Sequence, residues 1–176
     1  MAEPLADQVL RKIDEARELY HRLILMMGPA GSGKTSALQE VSASTSAPVV
    51  NVNLELSRRM LDLTERQRAL QVPRLLGEIV GEATGDLPAA TLAAQAGLVL
   101  LDNIEILFDV HLKQDPLRLL QGLSRNKTIV AAWPGSFVDG LLIYAEAGHR
   151  EYRRYSTEEV SNHIVISLQG QKNDGL

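Results

Sequence analysis

The feature that most constrains this chain is a glycine-rich segment at residues 28–35, which follows a short apolar run and precedes a helical pattern. It matches the pattern G-x-x-x-x-G-K-[ST] in full, with the residues Gly28, Pro29, Ala30, Gly31, Ser32, Gly33, Lys34 and Thr35. Between a buried strand and a helix, such a loop wraps tightly enough for successive backbone N–H groups to point at the same phosphate oxygens. The alternative is a glycine-rich turn with an incidental lysine, but the two flanking elements favour a phosphate-binding loop, or P-loop.

The P-loop predicts a site for Mg·ATP. Lys34 would reach the β- and γ-phosphates as a cation, and the Thr35 hydroxyl would occupy one position on Mg²⁺. The helix that starts near Lys34 adds the partial positive charge of its N-terminus. We expect the nucleotide to contact the loop and the serine after it, namely Gly28, Pro29, Ala30, Gly31, Ser32, Gly33, Lys34, Thr35 and Ser36.

Other classes of P-loop protein are recognised by further motifs. A GTPase needs a guanine-reading N-K-x-D sequence, whereas the run after Asn126 and Lys127 has Ile129 in the position of the aspartate. The third predicted strand also lacks a D-x-x-G switch. ATP is therefore favoured over GTP. A small P-loop kinase stays open as an alternative, because the lid of such an enzyme has a weak sequence signature.

Short apolar runs alternate with helical patterns along the chain of 176 residues. Strands are predicted at residues 23–27, 49–53, 97–102, 128–133 and 150–155. Helices are predicted at residues 4–20, 35–41, 54–82, 104–123 and 137–147, the fourth of them interrupted near Pro116. This alternation is typical of a parallel sheet covered by helices on both faces. We predict a single α/β domain over residues 1–176 with a five-stranded parallel sheet and a C-terminal extension from about residue 156.

Composition limits the partners and the location of the chain. A net charge of -4 argues against binding nucleic acid through the charge of the whole surface, although a local basic patch remains possible. The absence of cysteine excludes disulfides and thiolate metal sites, and the four histidines are not spaced as metal ligands. The N-terminus lacks the pattern of a signal peptide, and no apolar stretch approaches the roughly 20 residues that span a bilayer. A cytoplasmic protein without a membrane segment is the expectation.

The strand predicted at residues 97–102 ends in Asp102 after four apolar residues. This is the pattern of the Mg²⁺-side strand in P-loop NTPases. We expect the strand to lie beside the first strand, so that its carboxylate reaches the Mg²⁺ shell through water. A turn-forming aspartate is the alternative for an isolated strand of this kind, but the P-loop favours the magnesium role.

The residues after Asp102 indicate how fast the site could hydrolyse ATP. Many ATP-hydrolysing AAA+ proteins place a glutamate directly after this aspartate, whereas here that position is Asn103, with Glu105 two residues later. Asparagine can orient a water molecule but cannot accept its proton, so hydrolysis should be slow or should use another carboxylate. Glu105 is the candidate, and the alternative is a first-turn helix acid with Asn103 as the N-cap. After the fourth strand, Ser136 is a weak replacement for the polar residue normally expected near the γ-phosphate.

Two groups of arginines stand out. Arg153 and Arg154, with Arg150 nearby, are candidates for an arginine finger that reaches the nucleotide of a neighbouring subunit, which predicts a homo-oligomer with nucleotide-bearing interfaces. The other group could contact DNA phosphates or a partner and consists of Arg58, Arg59, Arg66, Arg68 and Arg74. Acidic residues interleave with both groups, so solvated helix faces are the alternative.

Four segments together resemble a known family. The P-loop at residues 28–35, the run Asn-Val-Asn-Leu-Glu-Leu-Ser at residues 51–57 and the run Leu-Asp-Asn-Ile-Glu-Ile-Leu-Phe at residues 101–108 look like the BrxF family, the small P-loop proteins of BREX bacteriophage-exclusion systems. Residues 151–155 are similar too. The resemblance implies an AAA+-like ATPase core that works with other defence-system proteins in a bacterial complex acting on or sensing DNA.

About twenty residues follow the last predicted strand, which is too few for the C-terminal helical lid of full AAA+ proteins. We therefore expect an AAA+-like P-loop NTPase without this lid. Two functions stay open, an oligomeric ATPase that remodels or translocates on DNA and a nucleotide-gated binding module whose ATP occupancy sets assembly. The incomplete catalytic set favours weak, assembly-dependent ATPase activity.

Overall fold

A parallel sheet of five strands forms the centre of the protein in the computed structural model, which describes residues 3–29, 31–139, 141–145, 150–160 and 163–168. The strand order is β2-β3-β4-β1-β8. The bounds are Leu23–Met27 for β1, Val49–Asn51 for β2, Leu98–Asp102 for β3, Thr128–Trp133 for β4 and Ile164–Ser167 for β8. The predicted five-stranded parallel sheet is confirmed, as are the first and fourth predicted strands.

Helices lie on both faces of this sheet. They are α1 (Leu5–Ala16), α2 (Lys34–Thr45), α3 (Val52–Met60), α4 (Glu65–Ala83), α5 (Leu92–Ala96), α6 (Pro116–Leu123) and α7 (Thr157–Val160), with short 3₁₀ helices at Glu105–Phe108 and Val110–Leu112. Side chains of α1, α2 and α5 form one buried cluster, and those of α3, α4 and α6 form the other. No lid of packed helices follows the sheet within the part of the chain that the structure describes.

β1 is apolar at every position because helices cover both faces of the sheet. Leu23, Leu25 and Met27 belong to the cluster on the α3 and α4 face, whereas Ile24 and Met26 belong to the cluster on the opposite face. Because successive strand residues point to opposite faces, a strand covered on both sides needs an apolar residue at every position. The P-loop therefore begins at the end of a fully buried strand.

The neighbours of β1 in the sheet differ from the prediction. β4 lies between β3 and β1, so the expectation that the third strand lies beside the first was wrong. Hydrophobic periodicity identifies a buried strand but carries no information about which strands pair, because parallel neighbours are separated by crossovers. The carboxyl ends of all three strands still meet at one edge of the sheet, which is where the P-loop begins.

The region after β4 was also predicted wrongly. Instead of a helix at residues 137–147, its described residues form β5 (Ser136–Val138) and β6 (Leu141–Tyr144), which pair with β7 (Arg153–Tyr155) in a second, antiparallel sheet. The strand predicted at residues 150–155 is thus outside the central sheet. The fifth central strand is instead β8, inside the segment predicted as a C-terminal extension, and it pairs with β1. Short apolar runs fit a strand or a helix equally well, which explains the error.

Local capping decides three boundaries that periodicity misplaced. β2 ends at Asn51, because the Asn51 side chain accepts a hydrogen bond from the backbone N–H of Leu54 at 3.1 Å and caps α3. Pro116 does not interrupt a helix but begins α6, where its missing N–H costs nothing. The long helix predicted over residues 54–82 is divided into α3 and α4, and Thr64 opens α4 with a capping box.

Gly135 allows the second sheet to approach the end of β4. A Cβ atom at this position would overlap the carbonyl oxygen of Ile143 and lie 2.9 Å from Nε1 of Trp133. We therefore expect Gly135→Ala to lower the free energy of unfolding by about 1–3 kcal/mol in urea denaturation. Gly77→Ala is the control, since a Cβ inside α4 meets nothing within 4 Å and should stabilise the helix. A Gly135→Ala protein as stable as the wild type would contradict this contact.

Candidate functional site

The P-loop connects β1 to α2 and depends on glycine for two different reasons. Gly31 and Gly33 have φ angles of 79° and 94°, a left-handed conformation that side chains with a Cβ rarely adopt. At Gly28 the reason is close approach, because a Cβ would lie 2.6 Å from Oγ of Ser32 and 2.9 Å from Cβ of Leu168. The prediction that a helix starts near Lys34 is confirmed, since α2 begins at that residue. The loop is thus held tightly at both ends.

A cavity of about 470 Å³ opens between this loop and the end of β3. Its lining residues are Gly28, Gly31, Ser32, Gly33, Lys34, Thr35, Ser36, Asp102, Asn103, Glu105 and Pro134. Of the other residues predicted to contact nucleotide, Pro29 accepts a hydrogen bond from the N–H of Ser32 at 3.1 Å, and Ala30 lies outside the described residues. Ser136 begins β5 and is not among the lining residues. The cavity thus brings together most of the predicted binding residues.

Ser32 presents an unused donor to this cavity. Its Oγ atom is buried and makes no hydrogen bond to any residue that the structure describes. A buried hydroxyl without a partner costs free energy, and a ligand oxygen in the cavity would satisfy it. The Ser32 hydroxyl is therefore suited to contact a phosphate beside the backbone N–H groups of the loop.

Thr35 and Asp102 meet at the floor of the cavity, although 67 positions separate them in the sequence. The Thr35 hydroxyl donates a hydrogen bond to Oδ2 of Asp102 at 2.8 Å, and Oδ1 of Asp102 accepts one from the N–H of Asn103 at 3.0 Å. The aspartate side chain is buried at the end of β3. A hydroxyl and a carboxylate are oxygen ligands of the kind that Mg²⁺ prefers, so this pair fits the ion.

Mg²⁺ usually keeps several waters and is shared with substrate phosphates. Among residues 3–29, 31–139, 141–145, 150–160 and 163–168, no three histidine, aspartate or glutamate side chains are grouped as a metal site. A two-ligand arrangement at Thr35 and Asp102 therefore requires the remaining ligands to come from water and nucleotide.

Lys34 is a partly buried cation in this cavity. Its Nζ donates a hydrogen bond to the carbonyl oxygen of Gly28. Burial lowers the pKa of Lys34, and the nearby carboxylates of Glu105 and Asp102 oppose that shift. The ammonium group thus offsets two negative charges at the place where a triphosphate would add more.

Asn53 holds Glu105 at the edge of the cavity. Nδ2 of Asn53 donates to Oε2 of Glu105 at 2.9 Å, and Oδ1 of Asn53 accepts from the N–H of Ile106 at 2.8 Å. The backbone N–H of Asn53 also donates to the carbonyl oxygen of Asn103 at 2.8 Å. The sequence prediction missed Asn53, because nothing in the run at residues 51–53 shows which later residue it contacts.

Asn103 does not cap a helix as the alternative supposed. It adopts a left-handed backbone with φ of 51°, which asparagine tolerates better than most residues. Ile104 precedes the 3₁₀ helix that begins at Glu105, and no side chain caps that helix. Glu105 therefore lies in the first turn, and its carboxylate is oriented by Asn53.

The second sheet packs against the segment that carries Glu105. Pro134, which precedes β5, lines the cavity, and the Tyr144 ring on β6 stacks on Phe108 with 3.7 Å between ring centroids. Phe108 ends the 3₁₀ helix that starts with Glu105. Burial raises the pKa of Tyr144 to about 12, and the negative charges of Glu151 and Glu105 add to the shift. Tyr144 therefore stays neutral and packs against the segment that carries Glu105.

The arginines near the end of the chain lie away from this cavity. Arg153 on β7 donates from Nη2 to the carbonyl oxygen of Gln114 at 2.8 Å. Arg154 follows it on β7 with an exposed side chain, and Arg150 is exposed as well. None of the three lines the cavity of its own chain. Within the described part of one chain, these arginines are therefore not brought to the candidate nucleotide site.

The arginines on α3 and α4 are mostly engaged within the chain. Three of them form ion pairs, namely Arg58 with Glu55 at 3.5 Å, Arg59 with Glu82 at 2.6 Å and Arg74 with Glu78 at 3.4 Å. Nε of Arg68 donates to the carbonyl oxygens of Met60 and Leu63, both at 3.0 Å. The Arg66 side chain makes no hydrogen bond or ion pair with any described residue. This surface is therefore less available to phosphates than the sequence suggests.

Comparison with known proteins identifies a family over most of the central sheet. The sequence model of the ATPase family associated with various cellular activities (AAA) matches residues 24–123, which include the P-loop, Asp102 and Glu105. No curated protein matches the chain. Among solved structures, that of C. elegans PCH-2 is similar, with a TM-score of 0.44 and 19% identity over 95% of this chain. This chain spans 40% of that PCH-2 chain. No helix in the described ranges is long and apolar enough to cross a bilayer.

Proposed function

Because this chain belongs to the AAA family of ATPases, we propose that it binds Mg·ATP in the P-loop cavity and hydrolyses it slowly until it assembles with other subunits. The observation that carries the proposal is the 2.8 Å contact between the Thr35 hydroxyl and the Asp102 carboxylate. It brings together two side chains that could bind Mg²⁺, in a cavity that Lys34 and Glu105 also line. One site then contains hydrogen-bond donors suited to phosphate oxygens, a cation, and a carboxylate able to accept a proton.

Each part of the site has a chemical role in this proposal. The N–H groups of the P-loop, the start of α2 and the Ser32 hydroxyl bind phosphate oxygens. Lys34 reaches the β- and γ-phosphates. Thr35 and Asp102 would hold Mg²⁺, which would neutralise charge on the phosphates. Glu105 accepts a proton from the attacking water, and slow turnover is consistent with the hydrogen bond that Asn53 donates to the same carboxylate.

We propose that Arg154 completes the site of a neighbouring subunit. The Arg153 side chain already donates to the carbonyl oxygen of Gln114, whereas the Arg154 side chain is exposed and makes no hydrogen bond or ion pair with the described residues. An arginine supplied by a neighbour stabilises charge that develops on the transferring phosphoryl group. Turnover would then depend on how many subunits are assembled.

We expect ATP turnover per subunit to rise with protein concentration, in parallel with oligomer size measured by light scattering. Arg154→Ala should lower turnover at least about tenfold in the assembled protein, because arginine fingers contribute this much or more. Adding Lys34→Ala subunits to the Arg154→Ala protein should restore its turnover. The added subunits supply Arg154, although they cannot use ATP themselves. Arg17→Ala is the control, because Arg17 is exposed at the C-cap of α1. Turnover per subunit that does not change with concentration would exclude a site shared between subunits.

A nucleotide-gated assembly switch is the second candidate function. The observation in its favour is that Asn53 engages Glu105, while Asn103 replaces the glutamate that many AAA+ ATPases carry. In this case ATP would change oligomer size without detectable turnover. The concentration series distinguishes the two functions, because it records hydrolysis and assembly in the same samples.

We further propose that the chain acts in a BREX phage-defence complex, with support from the resemblance at residues 28–35, 51–57, 101–108 and 151–155. Contact with DNA would then be made by the assembled complex, because four of the five arginines on α3 and α4 are engaged within the chain. The proposal requires that Lys34→Ala abolish phage restriction in cells carrying such a system. Full restriction by that variant would exclude a role for its ATP site.

The chain is best treated as one domain in this proposal. β8, near the end of the described residues, pairs with β1, and α1 near the beginning packs on α2 and β1. The first helix and the last strand of the described part of the chain therefore pack into the same core.

A further inference from the structure

A groove runs along the start of α4, on the face of the central sheet that carries α3. It consists of two adjoining cavities of about 420 and 510 Å³, which share Glu65 and His111 as lining residues. Apolar side chains form its floor, namely Met60, Ile106 and Leu112. We call this surface the α4 groove.

Two large apolar side chains at the α4 groove are unusually exposed. Leu61 lines one cavity and is 73% exposed, and Leu70 lines the other and is 74% exposed. A single exposed leucine is ordinary, but two of them beside a groove with an apolar floor add to the apolar surface that the groove presents. Such a surface is suited to burial against apolar side chains of another protein.

The rim of the α4 groove is basic, although the chain as a whole has a net charge of -4. Three cations line it, Arg66, Arg68 and Lys113, against two acids, Glu65 and Asp109. Within the described part of the chain, the side chains of Arg66 and Lys113 make no hydrogen bond or ion pair, whereas the Glu65 carboxylate already contacts Nδ1 of His111 at 3.0 Å. Cations without partners beside apolar side chains complement a ligand that carries both carboxylates and apolar groups.

We propose that the α4 groove docks a segment of a partner protein in which apolar side chains are flanked by aspartate or glutamate. A nucleic acid fits the observations less well, because its phosphates would gain nothing from Leu61 and Leu70 and would be repelled by Glu65 and Asp109. An amphipathic segment would bury the leucines and pair with Arg66 and Lys113 in the same contact.

The α4 groove also adjoins the segment that carries Glu105. Ile106 lines the groove, while Glu105 next to it lines the ATP cavity, and Asn53 bonds to both residues. Asp109, which follows the same 3₁₀ helix, lines the groove as well. A docked segment would therefore contact the backbone that positions Glu105 and would change ATP turnover. This second effect rests on the proposed function, whereas docking itself does not.

The test selects binders from a display library of random 16-residue peptides against the full-length protein and measures their affinity by fluorescence anisotropy. We expect the selected peptides to be enriched in apolar residues flanked by Asp and Glu. The double variant Arg66→Glu with Lys113→Glu and the double variant Leu61→Ser with Leu70→Ser should each weaken binding at least about tenfold. The control is Arg17→Glu with Tyr20→Ser, which changes an exposed cation and an exposed aromatic residue near α1, on the other face of the sheet.

Several outcomes would overturn docking of an acidic amphipathic segment. These are failure to select peptides, selection of peptides without acidic residues, and equal binding to the wild type and both groove variants. Displacement of a bound peptide by a labelled DNA duplex would identify a nucleic-acid surface instead. Loss of self-assembly in the Arg66→Glu and Lys113→Glu variant would identify a second copy as the occupant.

Turnover is measured separately with the selected peptide present. A change of at least about threefold in ATP turnover on peptide binding is expected from the contact with Ile106 and Asp109. Binding without any change in turnover would overturn the coupling to Glu105. A protein that binds the peptide but never hydrolyses ATP would contradict the proposed function and leave docking supported.

Discussion

Replacing Lys34 with alanine is expected to weaken ATP binding at least about 100-fold and to remove measurable hydrolysis. The Lys34 ammonium is partly buried and lies close to the carboxylates of Glu105 and Asp102. Without it, a triphosphate would enter a cavity whose remaining side-chain charges are negative. Opposite unit charges about 4 Å apart attract by about 4 kcal/mol at an effective dielectric constant of 20, and a 100-fold change needs about 2.7 kcal/mol.

Isothermal titration calorimetry with ATP and Mg²⁺ measures this effect. Lys12→Ala is the matched control, because Lys12 lies on α1, away from the cavity, and its Nζ pairs with Glu15 at 3.0 Å. The melting temperature of Lys34→Ala should stay near that of the wild type, since removing a partly buried charge relieves a desolvation cost. If the variant binds ATP within about threefold of the wild-type affinity, Lys34 has no part in phosphate binding.

Replacing Glu105 with glutamine is expected to lower ATP turnover about 100-fold while leaving ATP affinity within about twofold of the wild type. General-base catalysis contributes roughly 10²–10⁴-fold, and a glutamine cannot accept the proton of the attacking water. Its amide oxygen can still accept the hydrogen bond from Nδ2 of Asn53, so the 3₁₀ helix should keep its position. The variant therefore separates proton transfer from structural support.

Single-turnover kinetics and calorimetry measure the two effects of Glu105→Gln on the assembled protein. Glu55→Gln provides the control, since Glu55 is an acid on α3 that pairs with Arg58 and does not line the cavity. Unchanged hydrolysis in Glu105→Gln would remove Glu105 from the mechanism. It would also leave Asn53 with a purely structural role at Ile106.

The parts of the site that sequence predicted well are made of contiguous residues. β1, the P-loop and the start of α2 follow one another between residues 23 and 45, and their conformation depends mainly on local demands. An apolar run makes a buried strand, and Gly31 and Gly33 allow positive φ angles. The position of Asp102 at the end of a buried strand was also predicted, because the four residues before it are apolar. Their functional roles stay predictions until the variants above are measured.

The parts that sequence missed depend on residues far apart in the chain. The parallel register of β2 and β3 pairs Asn51 with Asp102, and this pairing brings Asn53 to Glu105. Periodicity shows that each strand is buried but not which strands are neighbours. For the same reason the position of β4 between β3 and β1 was not predicted.

Local sequence is therefore enough to predict a P-loop on a buried strand, because loop geometry depends on neighbouring residues and their backbone preferences. The contact of Asn53 with Glu105, the pairing of β8 with β1 and the separate sheet of β5, β6 and β7 could be learned only from the three-dimensional structure. These features arise from strand pairing and packing across the whole domain, which local patterns do not encode.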